Sequence, residues 1–273
     1  MRLRWIAVSI IVLCMIGGLV SGIYARAIEA SLTAQPVNPT LPVARHKTPS
    51  TPSSPAKSPV AGNPTPPAAT TTPLPAGVSV LAHDTFQRGA QVFWGTASDG
   101  HNWSGDANSI EIFSIAQKSG LIAAGKGAFN AILGPTNTDS ESVVSATINH
   151  FPAGGLVNLG VALRWTDGND WYKALINGTQ LQILSRVHGT SKVLATMPFA
   201  AHDALSYTLR FRAQGANLLA KAWQTGQPEP ANWLLQATDT ALAQGMGGIR
   251  VLLQNTTTIR VTSFLETTVG ATV

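Results

Sequence analysis

Residues 156–187 constrain the fold of this chain more than any other stretch. Val157, Leu159, Val161, Leu163 and Trp165 share one parity, and Leu156, Asn158, Gly160, Ala162 and Arg164 share the other. A period of two describes a strand with one buried face and one smaller or more polar face. Thr166-Asp167-Gly168-Asn169-Asp170 turns the chain, and residues 171–176 bring it back. Asn177-Gly178 then makes a two-residue hairpin connection, because both positions tolerate positive φ. Leu181, Ile183 and Val187 continue the apolar face on a third strand. The pattern predicts an antiparallel meander.

The same grammar runs through the rest of the chain beyond residue 78. Residues 142–150 alternate, and Tyr207, Leu209, Phe211 and Ala213 oppose Thr208, Arg210, Arg212 and Gln214. A Gln214-Gly215-Ala216 turn leads to a strand over 217–223. Gly247-Gly248 opens another with Ile249, Val251 and Leu253 on one face. A last strand over 257–267 is expected to point Ile259, Val261 and Leu265 inward. No stretch long enough for a core helix has a 3.6-residue period, and only residues 239–244 suit a helical turn. Many short strands separated by Gly, Asn and Asp turns indicate an all-β sandwich.

Ahead of it the chain changes character twice. Residues 5–24 carry no charge and are mostly Ile, Val, Leu and Ala. Twenty such residues span about 30 Å as a helix, the thickness of a bilayer's hydrocarbon core. Arg2 and Arg4 precede this run, while Arg26 and Glu29 follow it and cancel, so the N-terminus is expected in the cytoplasm. A cleaved signal peptide is the alternative, with Ala25-Arg26-Ala27 as its small-residue site. The long apolar run and the intervening Arg argue for an uncleaved anchor. Either way residues 79–268 lie outside the cytoplasm. Residues 28–78 hold twelve of the seventeen prolines among Thr, Ser and Ala. That composition buries too little apolar surface to order the chain, and it reads as a disordered Pro/Thr/Ser-rich stalk.

Charge excludes one class of partner. The net charge is +5, but six of the eighteen basic residues and one of the thirteen acidic ones precede residue 79. The globular part holds twelve of each, so it lacks the footprint of a nucleic-acid binder. The only cysteine, Cys14, lies in the apolar run, so no intramolecular disulfide forms.

Two blocks of residues carry a family resemblance. One is Asp84-Thr85-Phe86-Gln87-Arg88 followed by Phe93-Trp94-Gly95-Thr96-Ala97-Ser98-Asp99-Gly100 and Trp103. The other is Lys221-Ala222-Trp223 through Glu229-Pro230-Ala231-Asn232-Trp233, then Asp239. Together they resemble bacterial secreted concanavalin A-like (LamG-like) jelly-roll domains over residues 82–267. The resemblance implies two packed antiparallel sheets of about six strands each, and no single activity. Many relatives end the last strand with paired aspartates, where this chain has Phe264-Leu265-Glu266. A structural calcium is therefore unsupported, and no cofactor is expected.

Signals for catalysis are weak. Glycoside hydrolysis needs two carboxylates at suitable separation, and the nearest candidate is Asp139-Ser140-Glu141 at the entry to a strand. The six histidines show no metal-ligand spacing. Asn102, Asn177 and Asn255 each open a short glycosylation pattern, although the hairpin turn explains Asn177 better.

Binding is the stronger expectation. Arg164, Gln182, Arg186, Arg210, Arg212, Lys221, Arg250 and Arg260 fall on the parity opposite the core. Tyr172 is expected beside Arg164 across a hairpin, and Trp223 shares the parity of Lys221. An aromatic platform with planar polar groups suits sugar hydroxyls or carboxylates. The candidate ligand-binding set is Arg164, Tyr172, Gln182, Arg186, Arg210, Arg212 and Trp223. The function expected is a membrane-anchored, extracytoplasmic, non-catalytic domain that binds a carbohydrate or glycoconjugate at the cell envelope. A structural or adhesion module without a sugar site, and less so a divergent glycoside hydrolase, are the alternatives. Arginines that merely solvate the outer face would leave the adhesion module.

Overall fold

The computed structural model describes residues 77–269. The expected membrane-spanning segment and the Pro/Thr/Ser-rich linker lie outside the described residues. No helix among the described residues is long and apolar enough to cross a membrane.

Sixteen strands form two antiparallel sheets. The first runs in the order β14 (Leu235–Thr238), β13 (Asn217–Gln224), β12 (Ser206–Gln214), β7 (Ser140–Ile148), β16 (Thr258–Thr268), β5 (Ser119–Ala123), β4 (Phe113–Ala116) and β2 (Gln91–Val92), with β1 (Val80–Asp84) also paired to β16. The second runs β11 (Thr190–Pro198), β10 (Gln180–Val187), β9 (Asp170–Ile176), β8 (Leu159–Asp167), β15 (Gly245–Leu253), β6 (Gly127–Asn137) and β3 (Ser104–Gly105). The chain passes between sheets at β2 to β3, β3 to β4, β5 to β6, β6 to β7, β7 to β8, β11 to β12, β14 to β15 and β15 to β16, which is how a sandwich distributes one chain over two layers. The meander expected over residues 156–187 is β8-β9-β10, extended by β11.

Between the sheets the inward parities interlock. Leu159, Val161, Leu163, Tyr172, Ala174, Ile176, Leu181 and Ile183 face Val144, Ala146, Leu209, Phe211, Ala213, Leu218 and Ala220, all buried. Each large apolar side chain so buried stabilises the fold by roughly 1.5–3 kcal/mol.

Two local expectations fail, each for a visible reason. A bulge between Val261 and Ser263 shifts the register of β16 on β7. Past it the parity is reversed, so Phe264 and Glu266 turn inward and Leu265 turns out. Residues 239–244 are not helical. They are pinned instead, with the Tyr172 hydroxyl donating to Asp239 Oδ1 at 2.6 Å and accepting from the Leu242 N–H at 3.0 Å. The described helix is a single 3-10 turn, Asp106–Asn108.

The Asp-x-Phe-x-Arg block is architectural. Asp84 is fully buried, and its carboxylate accepts from both terminal nitrogens of Arg88, from the Trp103 indole at 2.7 Å, from Ser98 Oγ and from the Phe86 N–H. Burial works against its charge, but the bonds from Arg88 and Trp103 outweigh it and hold the carboxyl below the ordinary range. Phe86, Trp94, Trp103 and Phe113 pack edge-to-face and stacked around this knot. A Cβ on Gly120 would enter the Phe86 and Trp94 rings, so β5 needs glycine there.

Candidate functional site

The seven predicted binding residues divide among three environments. Arg210, Arg212 and Trp223 lie on the outer face of the first sheet. There the second motif block folds over β12 and β13 as a clasp. Lys221 Nζ donates to the Pro230 carbonyl at 2.9 Å and pairs with Glu229 at 2.6 Å. Arg210 pairs with Glu229 at 2.7 Å and with Glu141 at 3.5 Å, and Arg212 pairs with Glu141 at 2.7 Å. The Trp233 ring lies between the Arg212 guanidinium and the Lys221 ammonium, at 5.0 and 4.9 Å. This face spends its polar groups on the chain itself. Trp223 is half-buried on β13, paired with Thr208.

Arg164 and Tyr172 do meet, as expected, but in the interior. Arg164 has φ 50, and the β8–β9 register shifts between Leu163 and Asp167. This bulge carries the side chain off the outer parity to the Tyr172 ring, 5.9 Å away. There Arg164 donates to the carbonyls of Thr138, Leu242 and Gly215 and pairs with Asp139. Tyr172 is fully buried, and burial and the bond to Asp239 push its hydroxyl up to about 12. Both residues tie loops together at one end of the sandwich.

Gln182 and Arg186 lie on the outer face of the second sheet, in company the sequence reading did not assemble. Their neighbours on β9 are Trp171, Lys173 and Leu175, and Arg250 comes from β15. Between β9 and β15 runs β8, whose outer positions are Gly160 and Ala162. A Cβ on Gly160 would collide with the Lys173 side chain, so that glycine is what lets the lysine lie across the sheet. Lys173 Nζ donates to Asn158 Oδ1 at 2.6 Å, and the residue is 4% exposed. Burial, then the charge on Arg250, holds its ammonium well below the ordinary lysine range.

Across the same bare strand, Arg250 reaches the Trp171 ring at 4.6 Å. Its guanidinium also donates to Asn130 Oδ1. Burial and the neighbouring Arg186 lower its pKa, against an opposite pull from Asp106. Asp106 is itself occupied by the N–H and side-chain amide of Asn130. Arg186 donates to Ser191 Oγ at 3.0 Å, while its buried Nε has no partner. Lys173, Arg186 and Arg250 make no ion pair among the described residues.

The carboxylates considered for hydrolysis have other partners. Asp139 accepts from the Gly215 N–H and pairs with Arg164, whereas Glu141 turns to Arg210 and Arg212. Among the described residues no group of three or more His, Cys, Asp or Glu gathers as metal ligands. Glu266 is a lone carboxyl in the core. Burial pushes it up to about 8. Ser140 and the Gly247 N–H lean toward the anion, yet neither oxygen completes a hydrogen bond. A solitary acid that is mostly protonated at neutral pH does not suit calcium, which takes several charged or carbonyl oxygens.

No protein-family profile matches the sequence, and no curated protein matches it. Solved structures do. The family 43 protein BlXynB of Bacillus licheniformis superimposes with a TM-score of 0.51 at 12% identity, over 68% of this chain and 39% of that one. The shared fold is a sandwich of two antiparallel β-sheets. The carbohydrate-binding module CBM66 of Bacillus subtilis aligns over 59% of this chain and 94% of its own, at 14% identity and a TM-score of 0.47. Lectin I-B4 of Griffonia simplicifolia aligns over 69% and 100%, at 10% identity and a TM-score of 0.47. At such identities the likeness is one of fold. The chain spans about two fifths of BlXynB, with 39% covered.

Within this β-sandwich, sequence reasoning missed Lys173, Trp171, Asn130 and Asn158. A signal for Lys173 was present: a lysine inside the apolar run 171–176, with bare Gly160 and Ala162 on the neighbouring strand.

Proposed function

We propose that this concanavalin A-like domain is a non-catalytic carbohydrate-binding module, held outside the cytoplasm by the apolar segment 5–24 and set off from the membrane by the Pro/Thr/Ser-rich segment. The reading rests chiefly on one observation. The outer face of the second sheet gathers Arg186 and Arg250 around Trp171, with Gln182 and Asn130 alongside, and leaves their donors without a carboxylate partner among the described residues. Fixed planar donors beside small residues match sugar hydroxyls, which need orientation more than depth. The apolar length of the N-terminal segment, the arginines before it and the composition of the linker support the location.

One observation favours a second reading, an adhesion or structural module without a sugar site. Trp171 is 4% exposed and its ring is capped by Arg250, so no open aromatic platform is on offer. A polysaccharide pull-down with the full-length protein separates the two. Retention that falls in Arg250→Gln and persists in Arg210→Gln supports the glycan reading. No retention on any polysaccharide overturns it in favour of the adhesion module.

A further inference from the structure

We infer that the outer face of the second sheet takes acidic polysaccharides, with Arg186 and Arg250 receiving the carboxylates of hexuronic acid residues. This rests on the glycan reading and narrows it to one substrate class.

Three observations carry the inference. The first is geometric. Gly160 and Ala162 leave β8 bare, and over it the side chains of β9 and β15 converge. Arg250 is held flat by the Trp171 ring and oriented by Asn130, and a guanidinium so fixed presents its remaining edge in one direction. Arg186, paired with Trp171 in register on β10, stands close enough for its charge to act on Arg250. Two arginines held in this way match planar carboxylates with two parallel hydrogen bonds each.

The second is electrostatic. The globular part has as many acidic as basic side chains, and on the first sheet Arg210, Arg212 and Lys221 all find carboxylates. On the second sheet Lys173, Arg186 and Arg250 find none among the described residues, and Asp106, the one acid that acts on Arg250, is turned to Asn130. Like charges grouped on one face destabilise each other unless an anion arrives to sit among them. A domain that neutralises one face and leaves the other positive presents an anion-binding surface.

The third is the unfilled hydrogen-bonding capacity. The Arg186 guanidinium donates to Ser191 Oγ through one terminal nitrogen, and no group among the described residues takes the other, which leaves that edge for a ligand. Lys173, beneath the surface and fixed to Asn158, makes no contact with ligand.

The test compares each of several uronate polymers (polygalacturonate, alginate and hyaluronate) with its carboxyl-reduced counterpart, using the full-length protein in affinity electrophoresis. At least one uronate polymer is expected to be retained about tenfold more strongly than its reduced form, and raising salt should weaken that retention. Arg250→Gln and Arg186→Gln should each lower it about tenfold, and Arg210→Gln should leave it unchanged. Should Arg250→Gln fail to fold, the half-buried Arg186→Gln decides alone. Equal retention of acid and reduced forms, insensitive to salt, overturns the uronate assignment and leaves the glycan reading standing. Equally strong retention of inorganic polyphosphate shows a general anion site and also overturns it. Failure to retain any acidic or neutral polysaccharide brings down both.

Discussion

On the outer face of the first sheet Arg210, Arg212 and Lys221 each meet a carboxylate, and Trp233 is held between two of them. The outer face of the second sheet carries Lys173, Arg186 and Arg250 with no such pairing among the described residues, and there the aromatic ring supports a single arginine. The same residue types serve opposite ends. Where the chain supplies its own anions from Glu141 and from the Glu229 loop, the arginines act as fasteners. Where it supplies none, they remain donors awaiting an acceptor. An arginine-rich face is therefore read by its partners before its composition.

The largest effect expected tests the core that both faces share. Glu266 rises from 4.5 to about 8 on folding because it is buried. Its favourable contribution is fully present below pH 4.5 and is lost as pH climbs to about 8, since the unfolded chain releases the proton first. The loss is on the order of 5 kcal/mol across that window. Thermal melts of Glu266→Gln against the parent should diverge by about that amount between acid and alkaline pH, with the variant gaining. Parallel melting curves would show that the carboxyl is solvated. Because neither face contains Glu266, this variant also shows how far binding follows overall stability.

Next comes the fastened face. Glu141→Gln leaves Arg210 and Arg212 without their shared anion, and denaturant unfolding should report a loss of about 2 kcal/mol with glycan retention unaltered. If retention falls instead, the two faces are not independent. Trp233→Ala removes the ring from between Arg212 and Lys221 and should lower stability by about 1–2 kcal/mol. No change would mean that the ion pairs alone close the clasp.

The smallest effect has the opposite sign. Lys173→Met removes a buried cation whose alkyl stem already fits its trough, and the protein should gain about 1 kcal/mol. Lys173 has a depressed pKa, so its contribution to stability is present above the ordinary lysine range and is lost as pH falls through the folded value. The gain in Lys173→Met should therefore grow toward acid pH in calorimetric melts. A loss of stability at every pH would show that the bond to Asn158 outweighs the burial of the charge.

Much of this molecule was legible in its residues. Alternation placed Leu159, Val161, Leu163, Leu209 and Phe211 inward, and all are buried. Asn177-Gly178 marked the place of the hairpin between β9 and β10, although Asn177 pairs with Gln180 and the two-residue loop is Gly178-Thr179, with positive φ at Gly178 alone. Strand parity is a local property, written into every second residue, and it survives until a bulge intervenes. At two bulges it misled. One near Arg164 carried an arginine to the interior, and one in β16 exchanged Leu265 for Phe264 and buried Glu266. A bulge is chosen by the pairing of two strands far apart in sequence, so neither strand alone announces it.

The site was legible in kind and not in place. Gln182 and Arg186 were read from their parity and do lie together, but Arg210, Arg212 and Trp223 belong to the other sheet. Sequence by itself determined that residues 79–268 are antiparallel β, which faces of their strands are apolar, and that their charges balance. Only the tertiary structure decided which arginines share a surface and which acids reach them. Those facts depend on strand order and register, and β8, which separates Trp171 from Arg250, is joined to β15 by pairings the local pattern does not specify. Hydrophobic periodicity acts between neighbours in the chain, whereas charge acts between neighbours in space.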